Sequence, residues 1–159
     1  VADNHPEIVQ QLRDIYPSWW ESVSPAMTPV AIDIGNPAEN PTTLCSQDWY
    51  LESGNPPWNF GSIKKRPRVT GPWIINVKQP GRYRFTLREM PKEADIPIQA
   101  VRAKIEISGK TAESEIESGV TGVNFELDLP AGRTELWTWL FDADERAGGA
   151  YFTDVELLD

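Results

Sequence analysis

Alternating hydrophobic and polar positions divide most of the chain into short extended stretches. The clearest case is residues 71–87, where two alternating stretches flank a proline-glycine turn. Their apolar members are Trp73, Ile75, Val77, Tyr83, Phe85 and Leu87. This pattern predicts a β-hairpin with one buried face. Because a lone antiparallel pair is only marginally stable, the apolar face requires a second layer to cover it.

Further strand-like stretches follow the same period of two. They cover residues 30–34, 43–46, 101–107, 112–116, 123–129, 136–141 and 151–157. Residues 136–141 are apolar on both faces apart from Thr138, which predicts a central strand covered on both sides. Eight to ten short strands separated by proline-glycine turns predict a mainly β chain, an antiparallel β-sandwich of jelly-roll type.

One amphipathic helix is predicted before the strands, over residues 5–23, because apolar residues recur there at helical spacing. Asn4 is the expected N-cap, with Pro6 in the first turn and Glu7 in the capping-box position. Pro17 predicts a kink or a break, since proline cannot donate a backbone hydrogen bond.

The paired tryptophans Trp19 and Trp20 are expected to dock this helix on the sandwich or on a neighbouring domain, rather than to form a ligand platform. We therefore predict two parts in one compact domain. Residues 1–28 form a helical docking segment and residues 29–159 form the β-sandwich. Since the sequence opens with Val1 and no signal segment, it is expected to be a mature chain or an excised fragment.

Charge and rare residues restrict the functional classes. The net charge of −9 over 159 residues disfavours nucleic acid and anionic membranes as partners. No apolar run is long enough to cross a bilayer. His5 and Cys45 are the only histidine and the only cysteine. A single cysteine excludes a multi-cysteine metal site, and a single histidine disfavours a histidine-dependent triad or a multi-histidine metal site.

No residue is predicted to be catalytic. Cys45 has no nearby base in the sequence, and a thiol in a strand is most often part of the core. Residues 142–147 resemble the start of a calcium loop but carry Arg146 and Ala147 where a ligand and a glycine belong, so a solvated turn without metal is expected.

The irregular loop at residues 48–62 carries the candidate binding residues Asp48, Trp49, Trp58 and Asn59. Aromatic faces stack on the apolar side of a pyranose while amides bond its hydroxyls, so this composition is typical of a sugar-binding surface. The alternative is that the aromatics cover one end of the sandwich core and anchor the loop.

A basic run follows, formed by Lys64, Lys65, Arg66 and Arg68. These side chains are suited to sulfate, phosphate or carboxylate groups. The alternative is protection of a sheet edge, where lysine and proline prevent pairing with another chain.

Several stretches together resemble a known family. They are HPEIVQQLRDIYPSWW, GNPAENPTTLCSQDWY, PPWN, GPWIINV, PGRYRFTLREMPKEAD and GGAYFTDVEL. In this order, from His5 to Leu157, the chain resembles the C-terminal region of bacterial arylsulfatases, the formylglycine-dependent, alkaline-phosphatase-like sulfatases.

The resemblance implies an accessory domain of a sulfuric ester hydrolase. The parent enzyme would hold calcium and formylglycine in an N-terminal catalytic domain, whose C-x-P-S-R motif has no counterpart around Cys45. This chain would pack on that domain, help to shape its substrate pocket and be inactive alone. The resemblance also implies a periplasmic or extracellular location and a sulfated carbohydrate as a further partner.

Two other hypotheses stay open beside the sulfatase interpretation. One is an autonomous carbohydrate-binding β-sandwich that uses Trp49 and Trp58. The other is a structural docking module that buries Trp19 and Trp20 against a partner.

Overall fold

A computed structural model describes residues 1–158. The chain forms two compact units, Val1–Val30 and the part that begins at Ala31.

The first unit contains helix α1, Pro6–Val23, between single 3-10 turns at Ala2–Asn4 and Ser24–Ala26. The predicted cap is wrong, because His5 occupies the N-cap position and Asn4 lies in the preceding turn. The predicted break is also absent, since the helix continues through Pro17. Ser18 Oγ donates to the Ile15 carbonyl at 2.9 Å, which adds a local bond beside the proline.

Three aromatic side chains cluster on this helix. The ring of Tyr16 lies 5.6 Å from that of Trp19 and 6.3 Å from that of Trp20, between centroids. None of the residues of α1 is buried. Docking through Trp19 and Trp20 therefore stays a prediction.

The second unit is a β-sandwich of ten strands with one short helix. The strands are β1 Ile32–Ile34, β2 Thr42–Cys45, β3 Trp73–Val77, β4 Gly81–Arg88, β5 Arg102–Ile107, β6 Lys110–Glu115, β7 Val123–Leu129, β8 Gly132–Phe141, β9 Ala147–Gly148 and β10 Phe152–Leu158; helix α2 is Phe60–Ile63. One sheet has the order β1-β3-β8-β5-β6, with β9 beside β8, and the other has the order β2-β10-β4-β7. Apart from the parallel pair β1–β3, the strands pair antiparallel. The predicted mainly β sandwich after one helix is confirmed.

The predicted hairpin at residues 71–87 is wrong, because β3 and β4 belong to different sheets. Strand β3 pairs with β1 and β8, whereas β4 pairs with β10 and β7. The segment is an arch whose two buried faces meet across the core. The turn is held by Tyr83, whose hydroxyl donates to the Gln79 carbonyl at 2.6 Å. A Cβ at Gly35, where φ is +70°, would lie 2.0 Å from the same hydroxyl oxygen.

Strand β8 lies between β3 and β5, as its apolar sequence predicts. The expectation that both of its faces are covered is wrong, since Leu136, Thr138 and Leu140 are buried but Trp137 and Trp139 are partly exposed. Trp137 and Trp139 pack against neighbouring side chains on the outer face of the sheet rather than beneath a second layer.

The core lies between the inner faces of the two sheets. Trp73, Ile75 and Val77 of β3 contribute from one sheet. Tyr83, Phe85 and Leu87 of β4 contribute from the other. This arrangement leaves the alternate, outward-facing residues of each strand available for function.

Candidate functional site

A groove of about 990 Å³ lies on the outer face of the four-stranded sheet. Its floor consists of outward-facing side chains of neighbouring strands, since alternate strand residues share a face. The floor residues are Arg84, Thr86, Arg88, Asn124, Asp154 and Glu156. Residues 91–93 and 119–122, from the connections after β4 and before β7, form walls beside it.

Strand register places the floor residues in rows across the sheet. Thr86 is opposite both Asp154 and Asn124, and Arg84 is opposite Glu156. Thr86 Oγ1 donates to Asn124 Oδ1 at 2.8 Å. The floor is thus a continuous array of donors and acceptors rather than a set of isolated side chains.

The arginines of the floor are paired with carboxylates. Arg88 Nε lies 3.2 Å from Asp154 Oδ2, and Arg84 Nη1 lies 3.2 Å from Glu156 Oε2. Hydrogen bonding to Glu126 raises the pKa of Arg84, chiefly because the bonded guanidinium is the charged form. Among the lining residues, the positive charges of Arg84, Arg88 and Lys92 balance the negative charges of Glu93, Asp154 and Glu156.

A pocket of about 190 Å³ adjoins the groove. Pro91 and Phe152 line both spaces, and Trp58 and Phe60 line the second one. The side chain of Trp58 is 67% exposed. The structure therefore brings a predicted binding residue to the end of a polar groove.

The loop that presents Trp58 is fixed on both sides of the tryptophan. On one side, Ser46 Oγ donates to the Pro57 carbonyl at 2.5 Å. On the other, Asn59 caps helix α2, accepting from the Ser62 backbone N–H at 2.9 Å while its own N–H donates to Ser62 Oγ at 3.3 Å. The Asn59 side chain therefore has a structural role in a capping box, whatever it does toward a ligand.

Trp49 lies in the core rather than on the surface, at 4% exposure. Its ring packs against Trp73 and Tyr151, with centroids 5.6 and 5.9 Å away. The glycine backbone closes the remaining side, because a Cβ at Gly149 would lie 2.6 Å from the Trp49 ring. No ring face of Trp49 is open to stack on a sugar, so the core-covering alternative describes this residue.

Asp48 is exposed and lies beside Cys45, whose thiol donates to Asp48 Oδ2 at 3.3 Å. Burial, with a further contribution from Asp48, raises the pKa of the Cys45 thiol to about 11. The thiol is therefore protonated at neutral pH, which is unsuitable for a nucleophile. Cys45 lines the same pocket as Trp58, so Asp48 lies near the end of the groove through this contact.

Sequence reasoning missed the groove floor. The signal was present in β4, where Arg82, Arg84, Thr86 and Arg88 occupy every outward position of one strand. A row of polar residues on one face of a strand is commonly just a solvated face. The polar row of β10 meets the row of β4 only when the two strands pair in the folded sheet.

Within residues 1–158, no group of three or more His, Cys, Asp or Glu residues is placed to hold a metal ion. None of the helices in this part of the chain is both long and apolar enough to span a membrane.

Comparison with known proteins does not show the family of this chain. No family model and no curated protein sequence matches the chain. Among solved structures, the chain is similar to the crystal structure of a ruminal GH26 endo-β-1,4-mannanase, with 16% sequence identity and a TM-score of 0.47. The match covers 75% of this chain but only 26% of that chain. These comparisons leave the resemblance to sulfatases without support.

Proposed function

We propose that the chain is a non-catalytic carbohydrate-binding β-sandwich module, whose groove binds a neutral oligosaccharide. The observation that carries the proposal is that the exposed Trp58 lies beside the polar groove, since Pro91 and Phe152 line both the groove and the Trp58 pocket. An aromatic platform next to planar donors and acceptors is the arrangement that a sugar requires.

The dimensions of the groove suit several sugar rings. A volume of about 990 Å³ lies at the upper end of the range for small-molecule sites, roughly 300 to 1,000 Å³. The floor offers guanidinium donors, carboxylate acceptors and the Asn124 amide within one surface. A chain of hydroxyl groups is able to bond both kinds of group along its length.

The charge balance of the groove favours a neutral ligand over a sulfated one. Arg84 and Arg88 are already paired with Glu156 and Asp154. A sulfate group would have to compete with these carboxylates for the guanidinium donors. The paired carboxylates accept hydrogen bonds. None of them belongs to a group of side chains that could hold a metal ion.

Calorimetric titration of the 159-residue chain with neutral and sulfated hexasaccharides tests this proposal. The neutral series consists of β-1,4-linked mannose, glucose and xylose, followed in parallel by tryptophan fluorescence. Trp58→Ala is expected to weaken binding by about 10-fold or more, as loss of an aromatic hot-spot contact usually does.

The matched control is Trp137→Ala, which removes a partly exposed tryptophan from the other sheet. It should leave the affinity within about 2-fold, as a residue outside the contact does. Equal affinity in Trp58→Ala and the parent, or no binding of any neutral hexasaccharide at millimolar concentration, would contradict the proposal.

A second candidate function is an accessory role in an arylsulfatase-like enzyme, based on the sequence resemblance from His5 to Leu157. In that role the chain packs on a catalytic domain that supplies calcium and formylglycine, in the periplasm or outside the cell. The chain alone should then hydrolyse no aryl sulfate, and it should associate with the separately produced catalytic domain. Calcium-dependent hydrolysis by the chain alone would overturn this candidate.

A further inference from the structure

The pocket of about 190 Å³ beside the groove has a lining unlike that of the groove itself. None of its nine lining residues carries a carboxylate, ammonium or guanidinium group. Six of them are apolar or aromatic: Pro57, Trp58, Phe60, Ile63, Pro91 and Phe152. The groove, by contrast, is lined by three cationic and three anionic side chains. Two neighbouring spaces of opposite polarity therefore share one surface.

The change from polar to apolar occurs along strand β10. Asp154 is opposite Thr86 and lines the groove. Phe152 lies on the same face of the strand and is opposite Cys45, which lines the pocket. Alternate residues of a strand are about 7 Å apart. A single ligand is therefore able to occupy both spaces.

Polar atoms at the pocket are engaged by protein partners. Ser46 Oγ donates to the Pro57 carbonyl at 2.5 Å, and the Cys45 thiol donates to Asp48 Oδ2 at 3.3 Å. Burial raises the pKa of this thiol to about 11, so the thiol is uncharged at neutral pH. Gln47 also lines the pocket and is exposed, and its amide is suited to donate to a ligand carbonyl.

The basic run after helix α2 adds no charge to the pocket, since none of its four residues lines it. Arg66 Nε lies 2.8 Å from Glu89 Oε2, and Arg68 Nη2 lies 2.6 Å from Asp142 Oδ2. These arginines are thus neutralised by carboxylates elsewhere. The pocket favours an uncharged group, because a charge placed in it would lose water without gaining a partner.

Helix α2 fixes one wall of the pocket. Asn59 caps the helix, and Phe60 and Ile63 are its first and last residues. Ile63 is 5% exposed and belongs to the core. Lys64 Nζ lies 4.4 Å from the centroid of the Phe60 ring, a cation–π contact that restrains the ring. Binding to a preformed wall costs little ordering entropy.

We propose that this pocket binds an uncharged acyl group, up to the size of benzoyl, that is carried as an ester on the oligosaccharide in the groove. An apolar cavity of about 150 Å³ holds a benzene ring, so about 190 Å³ is large enough for a benzoyl group. An ester attaches an apolar group to a sugar hydroxyl without adding charge. The oligosaccharide part of this inference rests on the proposed function, whereas the affinity of the pocket for an acyl group does not.

Calorimetric titration of the 159-residue chain with β-1,4-linked mannotriose, cellotriose and xylotriose tests the proposal. Each trisaccharide is used unmodified and with one acetyl or one benzoyl ester, on its first or on its last sugar. The better placed benzoyl ester should bind about 10-fold more tightly than the unmodified sugar, because its ring leaves water for an apolar pocket. The acetyl ester should gain less than about 4-fold, since it adds a single methyl group.

Phe60→Ala should reduce the preference for the benzoyl ester to about 2-fold or less, because one apolar wall is lost. Tyr50→Ala is the matched control. Tyr50 and Phe60 are aromatic residues of one segment with similar exposure, 54% and 48%, and Tyr50 lies outside the pocket. Phe60→Leu keeps an apolar side chain on α2 and should retain part of the preference. Each preference is a ratio of two affinities in one variant, so a smaller folded fraction does not imitate the effect.

Equal affinity for the benzoyl ester and the unmodified sugar would overturn this proposal, while binding of the unmodified sugar would still support the proposed function. Equal preferences in Phe60→Ala and Tyr50→Ala would overturn it as well. If no trisaccharide binds, the proposed function fails and methyl benzoate tests the pocket alone, by NMR at the Trp58 indole N–H. Saturable shifts that Phe60→Ala weakens and Tyr50→Ala preserves would support the acyl pocket, and their absence would overturn it.

Discussion

The two sheets bury similar inner faces but carry different chemistry on their outer faces. On the four-stranded sheet, Arg84 and Arg88 pair with carboxylates in the floor of a groove. On the six-stranded sheet, Arg102 and Lys104 pair with Glu113 and Glu106 and also lie over aromatic rings, at 4.0 Å from the Phe141 centroid and 4.8 Å from the Trp139 centroid. Cations are thus paired with carboxylates on both faces, and on the six-stranded sheet they contact π-systems as well.

The difference lies in the loops as much as in the strands. Both faces follow from the same period of two, and both present a row of alternate side chains. Only on the groove side do residues 91–93 and 119–122 form walls beside the row. A strand pattern therefore identifies an outer face, but the neighbouring connections decide whether that face becomes a site.

The largest expected effect comes from the core that both faces share. Phe85 is fully buried between the sheets. Phe85→Ala should lower the free energy of unfolding by about 3 to 5 kcal/mol, through lost burial and a cavity. Urea denaturation followed by tryptophan fluorescence measures this. Thr86→Ala, the next residue outward, should cost about 1 kcal/mol or less, and equal losses would contradict the assigned faces.

A smaller loss is expected from Arg88, the least exposed arginine of the groove floor. Its side chain is 15% exposed, and Nη1 also donates to the Thr121 carbonyl at 3.1 Å. Arg88→Ala should cost about 2 kcal/mol, because Asp154 and this carbonyl lose a charged partner. Arg82→Ala, on the same strand and 58% exposed, should cost less than about 1 kcal/mol in the same urea experiment. A reversed order would show that the groove pairs add nothing to stability.

Alkaline pH should lower the free energy of unfolding of the sandwich. Burial raises the pKa of Cys45 from 9.0 to about 11 and that of Tyr151 from 10.0 to about 12. The native chain therefore retains both protons at pH values where the unfolded chain loses them, so stability falls as pH rises from about 9 to about 12. The midpoint of urea unfolding, measured between pH 8 and 11, should decline, and Cys45→Ser should remove the part that starts near pH 9. An unchanged decline in that variant would contradict the assignment to Cys45.

The smallest expected effect on stability concerns the outer face of the six-stranded sheet. Lys104→Met removes both the cation over Trp139 and the ion pair with Glu106, and it should lower the free energy of unfolding by about 0.5 to 1 kcal/mol. Lys110→Met, at an exposed position on β6, is the control and should change stability by less than about 0.5 kcal/mol. Oligosaccharide affinity should be the same in both variants. A loss of affinity in Lys104→Met would transfer the binding site to the six-stranded sheet.

The fold class was predictable because alternation reports which side chains share a face. The pairing was not, as the segment from Trp73 to Leu87 demonstrates. The alternation in its two stretches predicts a hairpin within one sheet. A turn that links two sheets buries the same apolar residues, so the alternation does not distinguish the two arrangements. Pairing depends on partners such as β8 and β10, which lie far along the chain.

The candidate site was predictable only in part, and two tryptophans of one loop show why. Trp58 is exposed at the groove, whereas Trp49 is buried. The outcome for Trp49 depends on the close approach of Gly149, a residue 100 positions later, which leaves room for the ring. The composition of the loop around Trp49 does not indicate that contact. In the same way, the local sequence does not indicate that Arg146 lies near Arg66 and Arg68.

Strand β6 has a consequence for how copies of this chain behave at high concentration. It lies at one end of the six-stranded sheet, where an unpaired backbone edge is a template for another strand. Glu113 and Glu115 are exposed on this edge strand. Charged side chains on an edge strand disfavour its pairing with a second copy, so the acidic residues of β6 protect the open edge of the sheet.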